Sequence, residues 1–473
     1  MIKIIKIWLK SLIFFNLFLF IAVVYLSKLK SHNFHIDEYG FMRKSYFFNL
    51  FVRKNFKDSR WQSDNFNQPK LGPYIYGLAL RLNGIKDTEK FQNKIKFNEI
   101  KINNRFWWKE LLWEKPADFP SQLNSIIKLI VQGRKVATFF SLAALLLILI
   151  LGILTKNLKF AFFSILILAF NRLMFYYGRL AMTDSFQLFF FLLNLILIIY
   201  YLRYFFQKNK KLVLILSLFV GINAALTAGV KVIGILALIF YLGIFLILFF
   251  LNPKPLLPRC ASGRVRFGTS KCFSKKLMLL SLLIVFFSFF FLFVFLNPQI
   301  YSQPFKGFIK MFTTRWQSAI VYQKTVGLSV NTKTDGLKLI FERLLLTNNR
   351  SGNFWFLPFI PADLIFLFGG IFLLFKKAWL RFKKTNQLSL EAVLLLWSGL
   401  TFLSLIFYLK NDWPRYYLPL AMAITLIQAY FLAWCTEKIF VFLKNEVFTK
   451  LRHKNKVWVK IFKSLDKNQL LRP

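Results

Sequence analysis

Acidic residues are scarce in this chain: 19 Asp and Glu stand against 65 Lys and Arg in 473 residues. Cysteine and histidine are scarcer still, at three each. Three cysteines, Cys260, Cys272 and Cys435, define no disulfide framework, and a lone Cys pair without other ligands makes a poor metal site. No GxxxxGK[ST] loop, HExxH pair or GxSxG elbow occurs, so nothing points to P-loop, zincin or serine-hydrolase chemistry. Because carboxylates are so rare, the places where they do occur carry information.

What the chain has in excess is apolar side chains. It is 57% hydrophobic with 61 Phe, against about 45–50% apolar residues in soluble globular proteins. The fold class is therefore an all-α polytopic membrane protein. The formal charge of +46 is confined to segments between apolar runs, where it orients the chain in a membrane; no nucleic-acid partner is implied. With about 20 apolar residues per span, spans are expected near 5–27, 134–154, 158–177, 184–206, 212–229, 231–251, 277–297, 354–375, 389–409 and 415–435. The first is longer than a signal-peptide core and lacks a small-residue cleavage site, so it reads as retained. In the third, Asn171, Arg172 and Arg179 interrupt the outer half, and a helix ending near Phe170 followed by a short interfacial piece is expected.

Lys156 and Lys159, Lys208 to Lys211, Lys254 to Lys276 and Lys376 to Lys384 fall on one face, which the positive-inside rule makes cytoplasmic. Both termini then lie in the cytoplasm of a cell-membrane protein, with 1–435 as the membrane domain and 436–473 as a basic tail facing anionic lipid. Segments 28–126 and 298–353 face outward. The first holds ten of the acidic residues, and its short apolar patches, Tyr46 to Val52 and Phe106 to Trp113, read as interfacial helices. The second is long enough to act as a lid or an acceptor selector, or to be a mobile surface loop.

With that topology, ionisable residues collect on the outer side: Asp37 and Glu38 after the first span, Lys70, Arg134, Asp184, Lys231 and Arg415. Each has an ordinary structural reading. Asp184 or Thr183 fits a helix cap, Lys231 fits a snorkelling lysine, and Asn411-Asp412-Trp413-Pro414 fits a tight turn. His32 and His35 flank the carboxylates, where they fit polar surface or an aid to a base or metal. Paired carboxylates beside cationic helix ends suggest a place where an anion is held and a proton removed, which is the equipment for moving a group from a phosphate ester.

These residues come in a recognisable order. An Asp-Glu pair follows the first span. Asn67-x-Pro-x-Leu-Gly precedes a juxtamembrane helix, and Gly133-Arg134 opens the second span. Arg179-x-x-x-x-Asp184 leads into the fourth, Gly221 and Thr227-x-x-x-Lys231 follow, and Arg415-Tyr-Tyr-Leu-Pro419 opens the last. The chain to about residue 435 thereby resembles the GT-C type membrane glycosyltransferases of the protein O-mannosyltransferase and aminoarabinose transferase superfamily. The resemblance implies a bundle of about ten helices with a large first outer loop bearing interfacial helices. It also implies inverting transfer of a hexosyl or pentosyl group from a polyprenyl-phosphate donor to an acceptor hydroxyl on protein, lipid or cell-envelope glycan. Asp37 would be the general base, its pKa raised by burial, with Glu38 in support. Asp184 would lie near the acceptor or the base. Lys231 and Arg415, with Lys70 or Arg134, would face the donor phosphate. Relatives carry His or Lys where this chain has Gln68, and Lys70 is the substitute that the segment offers. Some relatives bind a divalent metal near the first acidic residue; no closed ligand set is legible, so the cofactor stays unknown. A transporter or flippase for a lipid-linked saccharide is the alternative. It calls for mid-span charges and matching broken helices in two halves, and neither is found.

Overall fold

The computed structural model describes residues 2–27, 29, 35–63, 66, 68–86, 122–251, 275–325, 330–345, 353, 362–385, 387–410 and 412–454. Among them, all regular structure is helical. In chain order the α-helices are α1 (Ile2–Leu26), α2 (Ile36–Arg43), α3 (Tyr46–Val52), α4 (Arg60–Ser63), α5 (Leu71–Leu82), α6 (Gln122–Leu154), α7 (Leu158–Phe170), α8 (Arg172–Tyr177) and α9 (Asp184–Phe206). They continue with α10 (Lys210–Val230), α11 (Leu236–Leu251), α12 (Lys275–Leu296), α13 (Pro304–Thr325), α14 (Lys333–Leu344), α15 (Ala362–Thr385), α16 (Leu390–Tyr408) and α17 (Leu418–Lys454).

Seven described helices are long and apolar enough to cross a membrane: those of α6, α9, α10, α11, α12, α16 and α17. Of the other three expected spans, Ser11–Leu26 and Leu158–Phe170 are shorter apolar helices, and residues 354–361 of the span near 354–375 lie outside the described residues. At 1.5 Å per residue, α7 rises only about 20 Å. It stops where its polar residues require: Asn171 accepts the backbone N–H groups of Leu173 and Met174 at 3.0 and 3.1 Å, ending one helix and capping α8. Large side chains such as Phe291, Phe372 and Phe250 stay more than half exposed, as lipid-facing positions of a polytopic protein do.

Helices in lipid gain little from burying apolar surface against each other, so close approach and internal polar contacts hold the bundle. Between α10 and α12 the approach is through Gly221, where an added Cβ would lie 2.5 Å from the Val285 carbonyl oxygen. Nearby, Ser217 and Ser281 hydroxyls are 2.6 Å apart, and Tyr241 hydroxyl is 2.8 Å from Ser281. α9 packs between α6 and α10, while α17 packs against α7 and α15.

Over one end of this bundle, α2, α3 and α5 form a roof with its own aromatic core of Tyr46, Phe47, Trp61 and Tyr76. The expected helix over Tyr46–Val52 is present and half of it is buried; Phe106 to Trp113 lies outside the described residues. Gly77 lets α5 reach the chain at Ser45 and Phe48, where a Cβ would sit 2.5 Å from the Ser45 carbonyl. Tyr76 hydroxyl donates to the Met182 carbonyl at 2.8 Å, tying roof to bundle. The second outer segment is helical across most of its described part. α13 starts against the short 3-10 turn Pro298–Ile300, with Gly307 pressed on Ile300. α14 opens with a Thr332/Asp335 capping box. α17 runs through residue 435 without a break. Phe440 is exposed there, while Trp458 and Phe462 of the expected tail lie outside the described residues, as do Cys260, Cys272 and His32.

Candidate active site

The roof helix α2 begins with an unusual cap. His35 Nδ1 accepts the Asp37 backbone N–H at 3.2 Å, and Glu38 Oε2 accepts the His35 N–H at 2.9 Å, completing a capping box in which histidine takes the place of serine or threonine. His35 therefore has a definite local role. Consecutive helix positions lie about 100° apart, so Asp37 and Glu38 face different surroundings.

Glu38 faces the core and is fully buried. Its Oε1 accepts Arg134 Nε at 2.8 Å and the Ala181 N–H at 2.7 Å, and its Oε2 also accepts Arg134 Nη2 at 2.7 Å. Arg134, equally buried, donates from Nη1 to the Leu29 carbonyl at 2.7 Å. The two form a bidentate, closed unit linking α2, α6 and the turn before α9. Gly133 permits it, since a Cβ there would meet Met42 Sδ at 2.3 Å and Ala181 Cβ at 2.8 Å. Both were expected at the site, Arg134 for the donor phosphate. The structure instead puts them beneath the cavity described next, and neither lines it.

Asp37 lines a cavity of about 240 Å³ together with Lys70, Asp184, Lys231 and Arg415. Five of the seven residues singled out in the sequence thus meet in one place. Arg415 Nη1 donates to Asp37 Oδ2, and Lys231 Nζ donates to Asp184 Oδ1 at 2.5 Å. Burial pushes the Asp37 carboxyl up, but Arg415, His35 and Lys231 together outweigh it and hold the group below its ordinary value. The expected rise is therefore reversed in this state, because the guanidinium favours the charged form more than burial disfavours it.

Each partner is set by local chain geometry. α10 ends at Val230, and Lys231 is extended (φ −147°, ψ 142°) before the 3-10 turn Val232–Ile235. Gly234 lies so close to the Thr227 carbonyl, 2.1 Å from where a Cβ would be, that the chain folds back on itself and turns Lys231 inward to Asp184. This is not a lysine snorkelling away. Asp184 opens α9, and Thr183 before it makes no side-chain capping bond; the carboxylate is spent on Lys231, and its Oδ2 has no partner among the described residues. Before Arg415, the Asp412 carboxylate receives Arg343 and, at 2.9 Å, the Tyr417 hydroxyl, which fixes the turn that presents Arg415. The guanidinium then stacks 4.9 Å from the Trp413 ring centre.

Lys70 is buried, its Nζ 4.1 Å from the centre of the Phe47 ring. Gln68 also lines the cavity and accepts a hydrogen bond from Lys44 Nζ at 2.8 Å. The charge missing at position 68 is thus brought by a neighbour that the sequence did not single out. Lys44, Arg315 and Lys410 complete the cationic lining. Nothing in the order of 65 basic residues marks these three, because each comes from a segment whose path over the bundle end is set by tertiary packing. Among the described residues no group of three or more His, Cys, Asp or Glu side chains is arranged to hold a metal ion.

No family model matches the chain, and no curated protein matches it. The solved structures with which the chain aligns include two oligosaccharyltransferase structures. The archaeal oligosaccharyltransferase AglB from Archaeoglobus fulgidus, in complex with an inhibitory peptide and a dolichol-phosphate, aligns at a TM-score of 0.48 and 12% identity, over 98% of this chain and 53% of that one. The apo form of the A. fulgidus oligosaccharyltransferase aligns at 0.47 and 13%, over 92% and 52%. The chain spans about half the length of these proteins.

Proposed function

We propose that the chain is an inverting glycosyltransferase that moves a sugar from a polyprenyl-phosphate donor to an acceptor hydroxyl on the outer face of the cell membrane. One observation carries the reading: Asp37 and Asp184, two of few carboxylates in the chain, each meet a cation in a single cavity at the end of the bundle. The order of motifs shared with the GT-C type enzymes supports it.

In this reaction Asp37 takes the proton of the acceptor hydroxyl while the acceptor oxygen forms a bond to the anomeric carbon. The bond from that carbon to the phosphate oxygen breaks, and its electron pair leaves on the phosphate, against Lys231 and Arg415. The products are the glycoside, polyprenyl phosphate and a proton passed from Asp37 to water. Donor binding also prepares the base. When the phosphate draws Arg415 away from Asp37, the positive charge that holds the carboxyl low is weakened and the desolvation that raises it remains. Glu38 and Arg134 act as positioning residues beneath α2.

The test uses isolated membranes and a panel of polyprenyl-phosphate sugars, with release of polyprenyl phosphate as the readout. A positioned base contributes about 10²–10⁴-fold in rate, so Asp37→Asn is expected to lose at least 99% of the release. Retention of more than a tenth of wild-type turnover by that variant refutes the assignment.

A further inference from the structure

Not every cation that lines the cavity meets a carboxylate. Arg415 meets Asp37 and Lys231 meets Asp184, whereas Arg315, which lines the same cavity, has no carboxylate partner among the described residues. The nearby carboxylate Asp412 is already taken by Arg343 and Tyr417. Arg315 and Arg415 oppose each other electrostatically, and Arg315 opposes Lys231 in the same way. Three like charges held within mutual range in a partly desolvated cavity are unfavourable unless an anion joins them. Two carboxylates neutralise two of them.

Arg315 arrives on α13, which lies across from the end of α12 to the end of α16. At its start Phe305 stacks on Phe290, with ring centres 4.4 Å apart, and Phe308 meets Phe293 at 5.2 Å. Beyond Arg315, Trp316 meets Tyr408 at 6.4 Å, and Lys410 Nζ lies 5.2 Å from the Trp316 ring centre. Ala319, one turn on from Arg315, lines the same cavity. The helix is anchored by aromatic contacts at its start and, beside Arg315, at its middle, so the guanidinium is delivered by a packed element and not by a wandering loop.

We propose that Arg315, which lines the same cavity as Lys231 and Arg415, is a ligand of the donor's phosphate group. The inference rests on the glycosyltransferase reading, and it makes the second outer segment part of donor recognition. A planar guanidinium presents a fork matched to phosphate oxygens. The phosphate oxygens supply the missing negative charge.

The test is binding of undecaprenyl phosphate to the purified full chain in detergent, with uncharged undecaprenol as control. Wild type is expected to favour the phosphate over the alcohol. A hydrogen bond to a charged group corresponds to roughly ten- to a hundredfold in affinity, so Arg315→Ala is expected to weaken phosphate binding by about that factor and leave undecaprenol binding unchanged. Arg315→Lys is expected to restore part of the loss. Arg315→Ala binding within twofold of wild type, while Lys231→Ala weakens it, overturns the Arg315 assignment and leaves the donor reading standing. Equal binding of phosphate and alcohol by wild type overturns both. A variant that loses phosphate and alcohol binding together marks Arg315 as structural and overturns the proposal.

Discussion

At the scale of single residues, Asp37 behaves differently from a buried acid waiting to be neutralised. Its folded-state pKa lies below the unfolded one, so its ionised form contributes stability above the ordinary carboxylate value of 3.8, and that contribution is lost as pH falls through the lower folded value. The same sign applies to kinetics. The acid limb of kcat/KM, which reports the free enzyme, is expected below 3.8. The acid limb of kcat, which reports the donor complex, is expected at higher pH, because phosphate then competes for Arg415. A pH series of initial rates at low and saturating donor checks this; coincident limbs contradict the shared-arginine account. Asp37 and its partners were legible in the sequence because carboxylates are rare and because the motifs fall at span ends. Arg315 was not. It stands in an amphipathic stretch among other basic residues, and only the packing of Trp316 on Tyr408 places it at the site.

At the scale of elements, the Glu38–Arg134 pair fixes where α2 sits on α6. Sequence position alone placed both residues near the chemistry, since a one-residue step separates Glu38 from Asp37. What it could not reveal is helix rotation, which sends one carboxylate to the cavity and the next to the core. Removing one partner of a buried pair leaves an uncompensated charge and costs about 3–5 kcal/mol. Arg134→Met is thus expected to lower the thermal midpoint of the detergent-purified protein strongly. Glu38→Gln combined with Arg134→Met removes both charges and is expected to regain much of that loss. Equal midpoints for the single and double variants contradict a charge-pair role. The break at Asn171 was legible, because polar groups inside an apolar run need partners. The helices α13 and α14 were not, since their charged composition suits an exposed loop equally well.

At the scale of the whole molecule, the apolar runs and the charge of the short connections carry the architecture, and they were readable from composition. Orientation remains a proposal with a direct check. In a background with Cys260, Cys272 and Cys435 replaced by serine, a cysteine in place of Ser302 is expected to react with a membrane-impermeant maleimide in intact cells. One in place of Lys156 is expected to react only after permeabilisation. The reverse pattern inverts the topology and moves the cavity to the cytoplasm. The ion pair between Asp37 and Arg415 joins positions 378 residues apart, and this has a consequence for how the protein is made. At 5–20 residues per second, ribosomal synthesis separates the two by on the order of 20–75 s. During that interval the first acidic residue of the site has been inserted without its guanidinium, so a nascent or truncated chain holds an unfinished pocket. On the proposed reading, competence to use the glycosyl donor is therefore withheld until the turn that carries Arg415 is delivered.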